Sequence, residues 1–296
     1  MKVLSSQVEE QENIGAVAQR RTAGFGVALP QPAAAGGFGR RQTPLPSTTD
    51  GAPPRAAAND RDAEDFEPQA AHVTPGGHAL PIAMDDFSNE LLGWLKDELR
   101  RGKSIQHEAV LCALGSLAGY AAQQAIRETL VKSEKMSLDQ AFVVIETRSG
   151  EVFFFGDLLN DLILDKHGLR GDGTVSIWKV VSEGGYEAGA INLPDVTDMI
   201  KHCAATVGHE EFGIPRVPDT HMPELLPREA LSRFWHAARR RLAGTDPMSW
   251  PVQFALAASK LVVELKDEIR PDIAVQIVME AAVPMSKIDP VTLPKD

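Results

Sequence analysis

From about Leu80 onward the chain is built of apolar stripes at helical spacing, two short apolar runs at strand spacing, and Gly or Pro punctuation between them. Asp85 or Asp86 can cap a helix whose apolar positions Phe87, Leu91, Leu95 and Leu99 recur every four residues and so share one side. Gly102 is a natural stop. Ser104 then caps a longer helix over Ile105–Lys132, with Val110, Leu114, Leu117, Ala121 and Ala125 as its contact face. Gly115 and Gly119 lie one turn apart on it. Such spacing serves dimerisation in a membrane; in a soluble helix it predicts close packing on a neighbouring element.

The stretch from Phe142 to Asp165 carries the clearest local signals. Phe142–Glu146 and Glu151–Phe155 are rich in β-branched and aromatic residues, and Thr147-Arg148-Ser149-Gly150 between them holds a turn, which predicts a hairpin. Asp157 opens a helix with Leu158, Leu159, Leu162 and Ile163 on one side, ending near His167-Gly168. LRGDGT reads as a turn, and the alternation in Thr174–Val181 predicts a third strand.

Beyond a Gly184-Gly185 turn the pattern is helical. Pro194-Asp195 begins a helix with Val196, Ile200, Cys203 and Val207 facing inward, and Gly208 ends it. Residues 209–227 form a Pro-rich connection. Pro227 starts a helix with the stripe Leu231, Phe234, Trp235, Ala238 and Leu242. Ser249 and Pro251 open another to about Ile269, and Pro271 opens the last to about Ala282. That last helix is apolar nearly all round, which predicts a central position.

Composition divides the chain. Residues 1–80 contain no Trp, Tyr or Cys, a single Ile (Ile14), and abundant Gly, Pro, Ala and Gln. Ordering a backbone costs about 1–2 kcal/mol per residue, which so few apolar side chains cannot offset. The expectation is a disordered low-complexity tail over 1–80 and a single α+β domain over 81–296.

Net charge is −11, and the tail, with 7 Lys/Arg against 9 Asp/Glu, leaves most of it on the folded part. An acidic domain repels phosphate, so neither nucleic acid nor an anionic membrane is an expected partner. Cys112 and Cys203 sit among apolar helical neighbours and outside any CxxC, which implies no disulfide framework and suits a reducing, cytoplasmic setting. Arg20-Arg21 superficially resembles a twin-arginine signal, but the apolar run after it is short and cut by Pro30. The apolar segment Ala109–Ala122 is too short to span a bilayer.

Candidate chemistry is sparse. Asp157, Asp161 and Asp165 share a helix face, yet i, i+4 and i+8 spread over about 12 Å of axis, too far for one cation. His202 and His209 are seven apart with Gly208 between them, and HEEF is not HExxH. No GxSxG elbow occurs, and GLRGDG precedes a strand pattern instead of opening a helix. No cofactor or metal ligand set emerges.

Two surfaces remain. The connection 209–227 is stiffened by Pro215, Pro218, Pro223 and Pro227 and carries Phe212, Arg216 and His221, either as a strap packed on the domain or as a binding surface. Arg239, Arg240 and Arg241 are the one basic cluster, placed where a helix C-terminus favours cations.

The expected fold is α+β, mostly α. A small antiparallel three-stranded sheet, the hairpin 142–155 plus 174–181, packs on helices, with a C-terminal helical bundle against it. The expected function is a non-enzymatic protein-interaction module: an adaptor, regulator or immunity-like factor of bacterial type with a protein partner. Phe212, Arg216, His221, Arg239, Arg240 and Arg241 are its candidate partner-binding residues. One alternative is a metal-assisted hydrolase using Asp157 or Asp161 with a histidine. Another is a secreted effector with residues 1–80 as leader.

Overall fold

The computed structural model describes residues 82–293, apart from Lys103 and residues 165–174. All of them belong to one unit, Val73–Asp296. The expected tail, the LRGDGT turn, the end of the Asp157 helix and Asp165 lie outside the described residues.

Helix α1 (Ile82–Glu98) leads through a two-residue ladder, β1 (Arg100–Arg101) and β2 (Ser104–Ile105), into α2 (His107–Ile126). A π-helical turn (Arg127–Val131) and the short α3 (Leu138–Ala141) connect α2 to the hairpin of β3 (Val143–Glu146) and β4 (Val152–Phe155). Then follow α4 (Asp157–Leu164), α5 (Ile177–Glu187), α6 (Val196–Ala205), α7 (Pro227–Arg241), α8 (Trp250–Glu264) and α9 (Pro271–Met285). The architecture is α+β and mostly helical.

The centre is α2. Every residue from Ala109 to Ile126 is buried, under α9, α8, α7 and α4. By length and composition His107–Val131 could cross a membrane, and here its apolar window lies wholly inside the bundle. The glycine strip works as its spacing predicts. A Cβ on Gly115 would collide with the carbonyl of Val278, and one on Gly119 with that of Ala282. The two helices therefore run parallel with their backbones nearly touching. One turn further on, buried Gln123 donates from Nε2 to the carbonyls of Ser286 (3.1 Å) and Ile288 (3.0 Å), satisfying acceptors freed where α9 ends. The last helix is thus central, but as the partner of α2.

Several expected boundaries shift. Ser104 and Ile105 belong to β2, and Gln106 takes the N-cap position of α2. The third strand does not form. Residues 177–181 open α5, whose cap is Ser176, its Oγ accepting from the backbone N–H of Lys179 at 3.1 Å. The alternation of Val175, Ile177 and Val181, interrupted by Lys179, coexists with a helical series, Ile177, Val180, Val181 and Gly184, and that series is the buried one. Gly184 and Gly185 are not a turn. They let α5 approach Ser259 of α8 and Val275 of α9, a long-range contact that overrides their poor helix propensity. The two ladders, β1–β2 and β3–β4, each have two strands.

Candidate interaction surface

The strap 209–227 is seated along its length. Phe212 meets Phe153 edge-on, ring centroids 4.9 Å apart. Arg216 donates from Nε to Glu280 Oε1 (2.8 Å), its Nη2 lies 2.7 Å from the same oxygen, and Nη1 donates to Asp198 Oδ2 (2.8 Å). Gln276 donates to the Arg216 carbonyl. Burial pushes the Glu280 carboxyl above its ordinary value against the pull of Arg216. Burial also works against the Arg216 charge, but its bonds to Glu280 and Asp198 outweigh that and hold the guanidinium more firmly protonated. Further on, His221 Nδ1 lies 3.1 Å from Glu108 Oε1, and Gln106 accepts from the Glu224 N–H at 2.7 Å. The strap thus follows α9 and finishes over the start of α2.

The arginine run fans out, as its spacing requires. Arg239 donates to Glu128 Oε1 at 2.7 Å and lies 5.7 Å from the Trp250 ring centroid, while Arg241 lies 4.3 Å from that of Trp94. Arg240 is exposed between them. Burial opposes the Glu128 charge, yet the bonds from Lys132 and Arg239 outweigh it and hold that carboxyl below its usual range.

Among the described residues no three His, Cys, Asp or Glu side chains converge as metal ligands. Burial pushes both thiols, Cys112 and Cys203, up to about 12, so neither is a thiolate near neutrality. Lys287 is buried, donates to Asn160 Oδ1 at 3.0 Å and sits 5.2 Å from the Phe155 ring centroid; burial lowers its ammonium to about 8. A pocket of about 90 Å³ opens beside Arg101, Glu224, Leu225 and Arg233. Small-molecule sites run to about 300–1,000 Å³, so this one holds only a few waters.

The hairpin is different. Gly150, at φ +84°, closes a three-residue loop of the bulged kind. The Thr147 N–H donates to the Glu151 carbonyl at 2.8 Å, and the register pairs Val143 with Phe155, Val144 with Phe154 and Ile145 with Phe153. Antiparallel pairs alternate between bonded and non-bonded. Val143 and Ile145 therefore bond to β4, while the N–H and C=O of Val144 and Glu146 point away from it. On the far side of β4, Phe154 donates to the Lys287 carbonyl (2.9 Å) and Phe153 bridges Ile288. Among the described residues it is β4, and not β3, whose outer backbone edge bonds to the rest of the chain. Among the described residues no strand pairs with the outer edge of β3. Its side chains are uncovered too: Val143 is 62%, Val144 47% and Ile145 40% exposed.

Beneath the hairpin, in the π turn after α2, the Arg127 guanidinium carbon lies 4.3 Å from the Phe154 ring centroid and 5.3 Å from that of Phe142. Its Nε and Nη2 are buried without a hydrogen-bond partner among the described residues, and burial lowers its proton affinity. The pattern of residues 142–155 predicted the hairpin but not which edge would stay open. Nothing local marks Arg127, because its aromatic platform comes from Phe142 and Phe154.

No protein-family model matches this chain, and no curated protein or solved structure is significantly similar to it.

Proposed function

We propose that the domain is a non-enzymatic protein-interaction module that docks an extended segment of a protein partner along the outer edge of β3. One observation carries this reading: three consecutive aliphatic residues stand exposed on a strand whose outer N–H and C=O groups are unpaired among the described residues. Soluble proteins guard such edges with charged side chains, Pro, bulges or a covering element; Val143–Ile145 carry none of the first three, the charge of Glu146 stands only at the end of β3, and among the described residues no strand covers the edge. Addition of a strand to an open edge draws affinity from main-chain bonds and selectivity from alternate side chains. A separate partner is favoured over a second copy, since each copy brings a charge of −11 to the encounter.

Val144→Pro tests this directly. It removes an outward-pointing N–H while leaving the bonds to β4 in place. Peptides selected by phage display on the full chain should bind wild type and Phe212→Ala alike and lose binding to Val144→Pro. Selected peptides that ignore Val144→Pro and fail on Phe212→Ala would move the interaction to the strap and overturn the proposal. A dimer abolished by Val144→Pro would instead assign the edge to self-association.

A further inference from the structure

The charge of the docked segment follows from β3 itself, an inference that rests on the docking reading. Successive side chains of a strand alternate between its faces. Val143 and Ile145 therefore share one face of β3, and Val144 and Glu146 share the other. Val143–Ile145 is wholly aliphatic, so charge enters the strand at one position, Glu146. That side chain is exposed, and no hydrogen bond or ion pair among the described residues uses its carboxylate.

The hairpin supplies no counter-ion. Across the ladder Glu146 faces Val152. Glu151, the acid on the other side of the turn, is matched by Arg228, whose Nη1 and Nη2 each lie 3.2 Å from its Oε1. Arg148, the nearest cation in sequence, belongs to the turn beyond the strand. Glu128, Glu264 and Glu280 are in a different position, each held by a Lys or Arg at 2.6–2.8 Å.

The main chain fixes where a partner's matching residue stands. Antiparallel addition is the more stable per residue. The N–H and C=O of Glu146 point away from β4, so a segment added antiparallel to β3 bonds to Glu146 itself. The partner residue opposite it lies on the same face, with Cβ atoms about 4.5–5.5 Å apart, where unlike charges attract and like charges repel. Its next residue faces Ile145, and the third faces Val143. The net charge of −11 adds a background attraction for any cationic segment. We infer that the docked segment carries a Lys or Arg opposite Glu146 and aliphatic residues opposite Ile145 and Val143, so that β3 selects an extended apolar segment led by a basic residue.

The probes are two end-blocked hexapeptides, Lys-Val-Thr-Val-Thr-Val and Val-Thr-Val-Thr-Val-Lys, each made with lysine and with its neutral counterpart Nε-acetyl-lysine. Binding is measured by calorimetry on the full chain at low ionic strength, where exposed pairs are least screened. In the lysine-first peptide the charged form should bind about 2- to 5-fold more tightly than the acetylated one, the range for a cross-strand ion pair. Glu146→Gln should remove that excess and Glu146→Asp should keep part of it. Glu187→Gln, which takes the same charge from the exposed end of α5, should leave it intact. Thermal unfolding confirms that each variant is folded. If charged and acetylated peptides bind alike and both are lost on Val144→Pro, the edge docks a segment without reading its charge, which overturns this inference alone. A lysine advantage equal in the two peptides and retained by Glu146→Gln would reflect net charge only and overturn it as well. An advantage that depends on Glu146 but appears only in the lysine-last peptide would overturn the antiparallel order. If no peptide distinguishes wild type from Val144→Pro, the docking reading fails with it.

Discussion

The strap and the hairpin lie side by side at Phe212 and Phe153, yet they treat their polar groups in opposite ways. The strap, stiffened by four prolines and carrying a scatter of polar side chains, reads from its sequence as either a packed strap or a binding surface. In the fold its arginine is fixed by two carboxylates, its carbonyl by Gln276, and its end by Gln106 and Glu108. The hairpin looks like ordinary core. In the fold β4 bonds outward to Lys287, while among the described residues the outer edge of β3 is unpaired and its three aliphatic side chains face solvent. Of the two readings the strap's sequence left open, the packed strap is the one the contacts favour. What matters is whether each donor and acceptor finds a partner within the chain.

The sharpest way to break the contrast is at Glu280. Its side chain is 5% exposed and that of Arg216 is 36% exposed. Removing a buried member of an ion pair costs about 3–5 kcal/mol, and partial exposure of Arg216 places Glu280→Ala near the lower end. Chemical denaturation should show a loss of about 3 kcal/mol with docking on β3 unchanged. A loss under about 1 kcal/mol would mean the strap is not held by that carboxylate.

Lys287 tests the anchored side of the hairpin. Its folded value of about 8 lies below the ordinary 10.5, so the unfolded chain binds the proton more tightly. Stability then carries its full penalty below pH 8 and recovers as pH rises from about 8 to about 10.5. The span corresponds to about 3 kcal/mol. Lys287→Met should remove that pH-dependent component, so its stability relative to wild type should fall between pH 7.5 and pH 10. Thermal unfolding at the two values measures it, and parallel curves would refute the assignment.

The smallest effect on stability is expected at β3 itself. Val143→Lys and Ile145→Lys replace exposed side chains, so each should change unfolding free energy by no more than about 0.5 kcal/mol while abolishing docking, because edge lysines block strand addition. A large destabilisation would show that the strand is covered in solution.

Much of this molecule can be read locally. The stripe Phe87, Leu91, Leu95 placed α1, the proline openings placed α7, α8 and α9, and Gly115 with Gly119 announced a close helix contact. Residues 174–181 failed because strand and helix periods both fit them, and only the packing of Gly184 on Ser259 decides between the two. The six candidate partner residues were chosen for chemistry in an unknown setting, and Phe212, Arg216, His221, Arg239 and Arg241 each meet a neighbour within the domain.

The sequence by itself determined where the chain turns helical or extended and which stripe each helix buries, since side-chain period and punctuation act over a few residues. Tertiary structure alone decided that β4 and not β3 is covered, that Arg216 finds Glu280 across 64 residues, and that Arg127 lies under two phenylalanines with its side edge unmatched. These are outcomes of long-range packing, where a partner for a face or a charge comes from distant chain and leaves no trace in the local pattern.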